Sequence, residues 1–198
     1  MSVAVIDIGI GNTASVVWAL ERLGAQARLT ADPQEILAAE RLVFPGVGSA
    51  GHAARRLDQL GLRRPIQAFG GPVLGICLGM QLLYEGSDEG EAEGLGLLSG
   101  QIVRMPSNDN QPIPHMGWNA LKRTRASSLL SDVEDGAYAY FVHSYAAPVS
   151  TDTVAFVDYA GSWSAVVARD RIMGCQFHPE RSGAVGAKIL SNFLAMPC

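Results

Sequence analysis

Apolar and polar positions change rhythm along the chain, and the rhythm is an early guide to its elements. VAVID at 3–7 is a short β-rich run. TASVVWALERLG at 13–24 sets Val16, Val17, Leu20 and Leu23 at helical spacing and stops at Gly24. AQARL at 25–29 returns to strand, and DPQEILAA at 32–39 offers Asp32 as an N-cap with Pro33 at the first helical position. RLVFPG at 41–46 reads as a strand ending in a turn, AARRLDQLGL at 53–62 as a helix, PVLGI at 72–76 as a buried strand and LGMQLLYEG at 78–86 as the helix after it. Strand and helix alternating at these lengths predict right-handed βαβ units and a parallel sheet.

Beyond residue 100 the rhythm becomes mostly strand. QIVRM, YAYFV, TVAFVDY, SAVVAR and IMGCQF have few helices between them, which predicts an antiparallel addition followed by a return to the main sheet. GAVGAKILSNFLA at 183–195 is a last helix, suited to covering one face. MPSNDNQPIP at 105–114 is a loop and not a domain linker, because neither side of it makes a complete core. The expected fold class is α/β, an open, mostly parallel sheet flanked by helices with an additional antiparallel segment, in one domain over residues 1–198.

Composition narrows this without changing it. The chain has 198 residues, 48% hydrophobic, enough for one sizeable core and short for two. A net charge of −4 with no lysine or arginine cluster argues against nucleic acid or an anionic membrane as partner. The start MSVAVIDIGIGN lacks a basic segment and carries Asp7 in its apolar run, unlike a signal peptide, and no stretch reaches the apolar length of a membrane span. Three cysteines, Cys77, Cys175 and Cys198, lie far apart, which suits a reducing, cytoplasmic setting better than a disulfide framework.

Against that background GICLG at 75–79 stands out. A strand, Gly75, Cys77 between small neighbours, Gly79 and a helix follow the logic of a nucleophile elbow, where a sharp turn lifts the middle side chain above the sheet. The helix start beyond it offers free N–H groups and favours negative charge. A buried core cysteine is the commoner fate of such a residue, and the two glycines at this spacing tip the reading to a nucleophile. A thiol nucleophile needs a base. Of His52, His115, His143 and His178, the last sits in GCQFHPE after an apolar strand, with Glu180 two residues on. Pro179 between them favours an extended backbone, which points i and i+2 to the same side and so predicts the pair in register. A carboxylate beside an imidazole selects its tautomer and stabilises the imidazolium. Cys175 and His178 also make a C-x-x-H, but one such pair is weak evidence for zinc.

FPGVGSAGH at 44–52 supplies a third piece: its glycines let the backbone turn N–H groups toward a ligand. In acyl transfer one oxyanion donor would come from this loop, at Gly46 or Val47, and another from Leu78 just after the nucleophile. GIGNTA at 9–14 fits a G-x-G-x-x-A dinucleotide fingerprint, with Asp32 at the right remove, but Asp32 reads as a helix cap and nothing later suggests a nicotinamide or flavin.

Taken together, GICLG and HPE resemble the triad-type, class I glutamine amidotransferases, over almost the whole chain. Within that family DIGIGN at 7–12, PGVGSAG at 45–51, PHMGWN at 114–119 and FVHSYAA at 141–147 resemble the glutaminase subunits of imidazole glycerol phosphate synthases, from histidine biosynthesis. The resemblance implies hydrolysis of L-glutamine to glutamate and ammonia through a thioester on Cys77, with His178 as acid and base and Glu180 orienting it. It implies Gly48, Gln81, Glu89, Ser144 and Tyr145 as glutamine-binding residues, and no cofactor or metal. It also implies a cyclase partner with a (β/α)8-barrel fold, which takes the ammonia and forms imidazole glycerol phosphate and aminoimidazole carboxamide ribotide. Asn12, Met116, Trp118, Asn119 and Arg181 are then the candidates for the contact, with a core position as the competing reading of Trp118. Ile8 stands where that family has a tyrosine, a departure expected to touch at most a surface or partner contact. The elbow and HPE leave open a glutaminase for pyridoxal phosphate or anthranilate synthesis, or a non-catalytic module on the same fold.

Overall fold

The computed structural model describes residues 1–198. In chain order the first half runs β1 (Ser2–Ile6), α1 (Thr13–Arg22), β2 (Gln26–Thr30), α2 (Pro33–Ala38), β3 (Arg41–Gly46), α3 (Ala50–Gln59), α4 (Arg63–Gln67), β4 (Val73–Cys77) and α5 (Leu78–Leu82). The second half runs β5 (Gly86–Ser87), β6 (Ala92–Glu93), β7 (Gln101–Arg104), β8 (His115–Ala120), β9 (Lys122–Arg123), β10 (Tyr138–His143), β11 (Tyr145–Ala146), β12 (Thr153–Asp158), β13 (Ser162–Arg169), β14 (Ile172–Cys175) and α6 (Gly183–Leu194), with 3-10 turns at Ser128–Leu130 and Pro179–Arg181.

The main sheet has eight strands in the order β2-β1-β3-β4-β14-β13-β12-β9. Its first five strands are parallel, and β13, β12 and β9 extend it antiparallel. The antiparallel addition and the return to the sheet both match the expectation from the strand-rich second half. β8 and β10 pair apart from this sheet as a two-stranded ribbon, and β11-β7-β5-β6 make a small third sheet. No helix is long and apolar enough to cross a membrane.

Strand alternation divides the core between the two faces of the sheet. Val3, Val5, Val43, Leu74 and Ile76 pack on one face with α1 and α6, through Val16, Leu20, Ile189 and Phe193. Ala4, Ile6, Leu42, Phe44 and Val73 pack on the other, against Leu57 of α3, Ile66 of α4 and Met80 of α5. Asp32 caps α2 as its sequence implied, its carboxylate accepting from the Gln34 N–H at 2.8 Å. Asn12 caps α1 the same way, accepting from the Ser15 N–H at 3.4 Å.

Some expectations need correction. Ile8 is 1% exposed and packs in the second core, so it is no surface or partner residue. The helix read over 78–86 stops at Leu82. Residues 95–98 end it: the Leu95 N–H donates to the Leu82 carbonyl, and the Leu97 and Leu98 N–H groups to that of Leu83. α3 begins three residues before the expected position, because the Glu89 carboxylate accepts from the Ala50 N–H at 2.8 Å and serves as its cap.

Candidate active site

The register of three parallel strands assembles the site at their C-terminal ends, where open α/β sheets bind ligands. Gly46 of β3 pairs with Cys77 of β4, and Cys175 of β14 pairs with Ile76, which brings the chain after β14 level with Cys77. Cys77 has φ 53 and ψ −112, a strained conformation for a residue with a side chain. Its glycine neighbours are there for room. A Cβ on Gly79 would lie 1.7 Å from the Phe44 carbonyl oxygen, and one on Gly75 2.6 Å from the Met80 backbone. The turn therefore has the sharp, crowded geometry of the elbow its sequence predicts, with Cys77 6% exposed.

His178 follows on the neighbouring strand. Its own N–H donates to the Tyr140 carbonyl at 3.0 Å, and the Ser182 hydroxyl donates to the His178 carbonyl at 2.7 Å. Nδ1 of His178 lies 2.8 Å from Oε1 of Glu180, both side chains nearly buried. The means differs from the expected one. The pair is not carried on one extended strand; the chain turns at Pro179 into a 3-10 turn, which swings Glu180 back under the imidazole. Nε2 of His178 is buried without a completed hydrogen bond, as is Oε2 of Glu180. Burial alone lowers the His178 pKa, but the Cys77 sulfur and the Glu180 carboxylate outweigh it and raise the pKa to about 10. Both neighbours thus favour the charged imidazole over the neutral one.

The loop after β3 lies against the elbow: a Cβ on Gly46 would come within 3.1 Å of the Leu78 Cβ. The Val47 and Gly48 N–H groups donate to no backbone carbonyl, and Leu78, as first residue of α5, has no intrahelical acceptor. Free donors therefore stand on both sides of Cys77, as acyl transfer requires.

A cavity of 260 Å³ opens on Cys77 and Leu78. Gly48, Gln81, Glu89, Ser144 and Tyr145 all line it, together with Val47, Pro114, Val142 and His143. The expected glutamine-binding residues are thus brought together around the thiol, and Glu89 adds its role as cap of α3. A second cavity, of 210 Å³, lies beyond Val47 and Val142, which line both, and it reaches His178, Glu180, Asn12 and Arg181. A larger concavity of 710 Å³ at the β2 edge shares no residue with either.

Of the remaining expected contact residues, Met116 is 63% and Trp118 54% exposed on one face of β8, so Trp118 is no core residue. Asn119 is half-buried and committed inward, its amide bonded to His115 and to the Asp158 carbonyl, both at 3.2 Å. Asn12 and Arg181 are exposed beside the second cavity. Sequence reasoning missed Gln176, whose amide donates toward the Cys77 sulfur at 3.9 Å, and left His143 unassigned. It also missed Tyr138 and Tyr140, which sit opposite Ala120 and Trp118 on the ribbon. Strand alternation through PHMGWN and YAYFVH was the available signal, separating His115, Phe141 and His143 from Met116, Trp118 and Tyr140.

The family profile described as "Glutamine amidotransferase class-I" matches residues 4–196. The chain is 50% identical over 194 residues to the imidazole glycerol phosphate synthase subunit HisH of Xylella fastidiosa, covering 98% of this chain and 97% of that one. It is 52% identical over 194 residues to the HisH protein from Xanthomonas axonopodis pv. citri, at the same coverage. Among solved structures it superposes on a putative GMP synthase protein of Thermoplasma acidophilum with a TM-score of 0.74 at 22% identity, over 98% of this chain and 92% of that one. A glutamine amidotransferase structure gives 0.75 at 16% identity, over 97% and 96%. At these identities the structural likeness speaks for the fold.

Proposed function

The chain belongs to the class I glutamine amidotransferase family, and from that premise we infer that it is the glutaminase subunit of an imidazole glycerol phosphate synthase. It hydrolyses L-glutamine and works in a complex with the cyclase subunit of histidine biosynthesis. The family supplies the reaction class, and relatives about half identical over nearly the full length supply the pathway. The observation that carries the reading at this chain's own residues is a His178 imidazole held 2.8 Å from Glu180 and acted on by the Cys77 sulfur, which itself lines a 260 Å³ cavity.

In the proposed mechanism glutamine lies in the 260 Å³ cavity with its carboxamide over Cys77. The Cys77 thiolate, its proton already on His178, attacks the carboxamide carbon, and the carbonyl oxygen takes up negative charge facing the Leu78 N–H and a donor of the Gly46–Val47 segment. Each such donor is worth about 3 kcal/mol of transition-state stabilisation, or roughly a hundredfold in rate. The His178 imidazolium gives its proton to the departing nitrogen, the C–N bond breaks, and a thioester remains. Neutral His178 then takes a proton from water as the water attacks the thioester, and the tetrahedral adduct expels the sulfur and leaves glutamate. Glu180 holds the imidazole with Nδ1–H toward itself, so that Nε2 faces the reaction. Gln81, Glu89, Ser144, Tyr145 and Gly48 hold the amino-acid end, with Glu89 suited to the α-ammonium group.

Ammonia released beside His178 meets the second cavity, whose mouth carries Asn12 and Arg181. We place the cyclase, a (β/α)8 barrel, on that side, in contact with Met116 and Trp118 of the ribbon as well. The test is glutamate release by the full chain, alone and mixed with the cyclase of an imidazole glycerol phosphate synthase plus its nucleotide ligand. The complex is expected to turn over glutamine far faster than the free chain. Equal rates with and without the cyclase would overturn the assignment of partner.

A further inference from the structure

Behind the glutamine cavity a row of buried polar groups leads from Asn119 through His115 and His143, none of which the mechanism uses, to Tyr145 and Gln81 of the glutamine pocket. Nε2 of His115 is 3.2 Å from the Asn119 amide nitrogen. Nδ1 of His115 is 3.1 Å from Nε2 of His143, and Nδ1 of His143 is 2.9 Å from the Tyr145 carbonyl oxygen. That oxygen also accepts from the Gln81 amide at 2.8 Å, and the same amide nitrogen reaches Oε1 of Gln176 at 3.1 Å. Both histidines are buried, 2% and 6% exposed, and His115 is stacked between Phe141 and Tyr159.

We propose that His115 and His143 are positioning residues for the glutaminase reaction, a pair of neutral imidazoles whose fixed tautomers orient the Gln81 carboxamide in the glutamine pocket.

The direction of every bond follows from its ends. A carbonyl oxygen only accepts, so Nδ1 of His143 carries the proton. A neutral imidazole with Nδ1–H has a lone pair on Nε2, so Nδ1 of His115 must donate to it. Nε2 of His115 is then an acceptor, matched by the Asn119 N–H. The row leaves one tautomer for each ring. Burial keeps both neutral, lowering the His143 pKa to about 3 and that of His115 to about 4. At the other end, the Tyr145 carbonyl and Oε1 of Gln176 are both acceptors, so the Gln81 carboxamide must turn its N–H groups to them. Its Oε1 has no partner in the protein and is left as the acceptor that a residue lining the cavity presents to a substrate N–H. His143 also lines the cavity, but both its nitrogens are committed inward, which is why it positions and does not bind. The opposite tautomer of His143 would set a lone pair against the Tyr145 carbonyl and push away the segment that holds Gln81.

This inference rests on the glutaminase reading, and the experiment separates the two. In the complex with the cyclase, His143→Leu removes the donor to Tyr145, while His143→Asn sets an amide N–H near the Nδ1 position. Leaving a buried carbonyl half-satisfied and Gln81 free to turn is expected to raise the glutamine KM about tenfold in His143→Leu. kcat is expected to stay within about twofold, because the bond is not made in the transition state alone. His143→Asn is expected to recover most of the KM. An unchanged KM in His143→Leu, or equal losses in both variants, would overturn the proposal. Should either variant fail to fold, the imidazole nitrogen spectrum of the wild-type chain decides. Correlation of 15N with ring protons at neutral pH is expected to show His115 and His143 neutral with the proton on Nδ1, and a proton on Nε2 of either ring sinks the proposal. If instead the wild-type complex releases no glutamate, the assigned activity fails while this spectrum stands on its own.

Discussion

At the scale of single residues, the site is held by opposed forces on one imidazole. Burial works against a charged His178, and Cys77 and Glu180 work for it with the larger effect. The consequence is testable in the pH dependence of the complex. Above about 10 the imidazolium loses its proton and can no longer protonate the leaving nitrogen, so kcat/KM is expected to fall on the alkaline side near that pH. Because thiol and imidazole interact, this limb belongs to the pair. Glu180→Gln removes one of the two groups that raise the pKa, and Glu180 Oε1 is 2.8 Å from Nδ1. The alkaline limb of that variant is expected to move to lower pH, toward the ordinary histidine value. A pH–rate profile that keeps its limb in place would show that Glu180 does not support the cation. Cys77→Ala, in contrast, is expected to abolish thioester formation, read as loss of covalent labelling by an electrophilic glutamine analogue at every pH.

At the scale of elements, the elbow between β4 and α5 tests how much of the site is packing. Gly79→Ala would drive a methyl into the Phe44 carbonyl, at 1.7 Å, where the near atoms are all backbone and no side chain can move aside. A loss of about 3 kcal/mol or more in urea unfolding is expected. Gly70→Ala is the control: nothing lies within 4 Å of its added methyl, and stability is expected to change by less than about 0.5 kcal/mol. Comparable losses in both would mean that the close approach at the elbow does not set the cost, since the loss of chain entropy in the unfolded state favours both alanine variants. These glycines also mark what the sequence made legible. The period-2 and period-3.6 runs located β1 to β4, the elbow announced itself by spacing, and HPE by residue type. What stayed hidden depends on distant partners. α5 is short because the 95–98 segment takes the carbonyls that would continue it. His178 and Glu180 meet through a turn, and Gln176 matters only because β14 pairs beside β4. Ile8 looked like a surface change because it lies outside the triad, while its burial is set by packing in the core it shares with α3 and β1.

At the scale of the whole molecule, the two buried histidines behind the cavity make the fold sensitive to acid. In the unfolded chain each binds a proton near its ordinary pKa of 6.5, whereas in the folded protein burial lowers the values to about 4 for His115 and about 3 for His143. Folded pKa values below unfolded ones mean that this contribution is present above pH 6.5 and lost as pH falls. Between 6.5 and about 4 the unfolded chain holds up to two more protons than the native protein. The unfolding free energy should then drop by as much as about 2.7 kcal/mol per pH unit. On the alkaline side, His178 keeps in the native state a proton that the unfolded chain releases above 6.5, and burial raises the Cys175 thiol and the Tyr84 hydroxyl above their ordinary values of 9.0 and 10.0, so stability declines there too. Urea unfolding of the full chain across this range is expected to show a maximum near neutrality with a steep acid flank. His115→Phe keeps a ring between Phe141 and Tyr159 and deletes one titrating group, so its acid flank should have about half the slope. An acid flank of unchanged slope in that variant would assign the acid sensitivity to carboxylates and would contradict a neutral, buried His115 in the native protein.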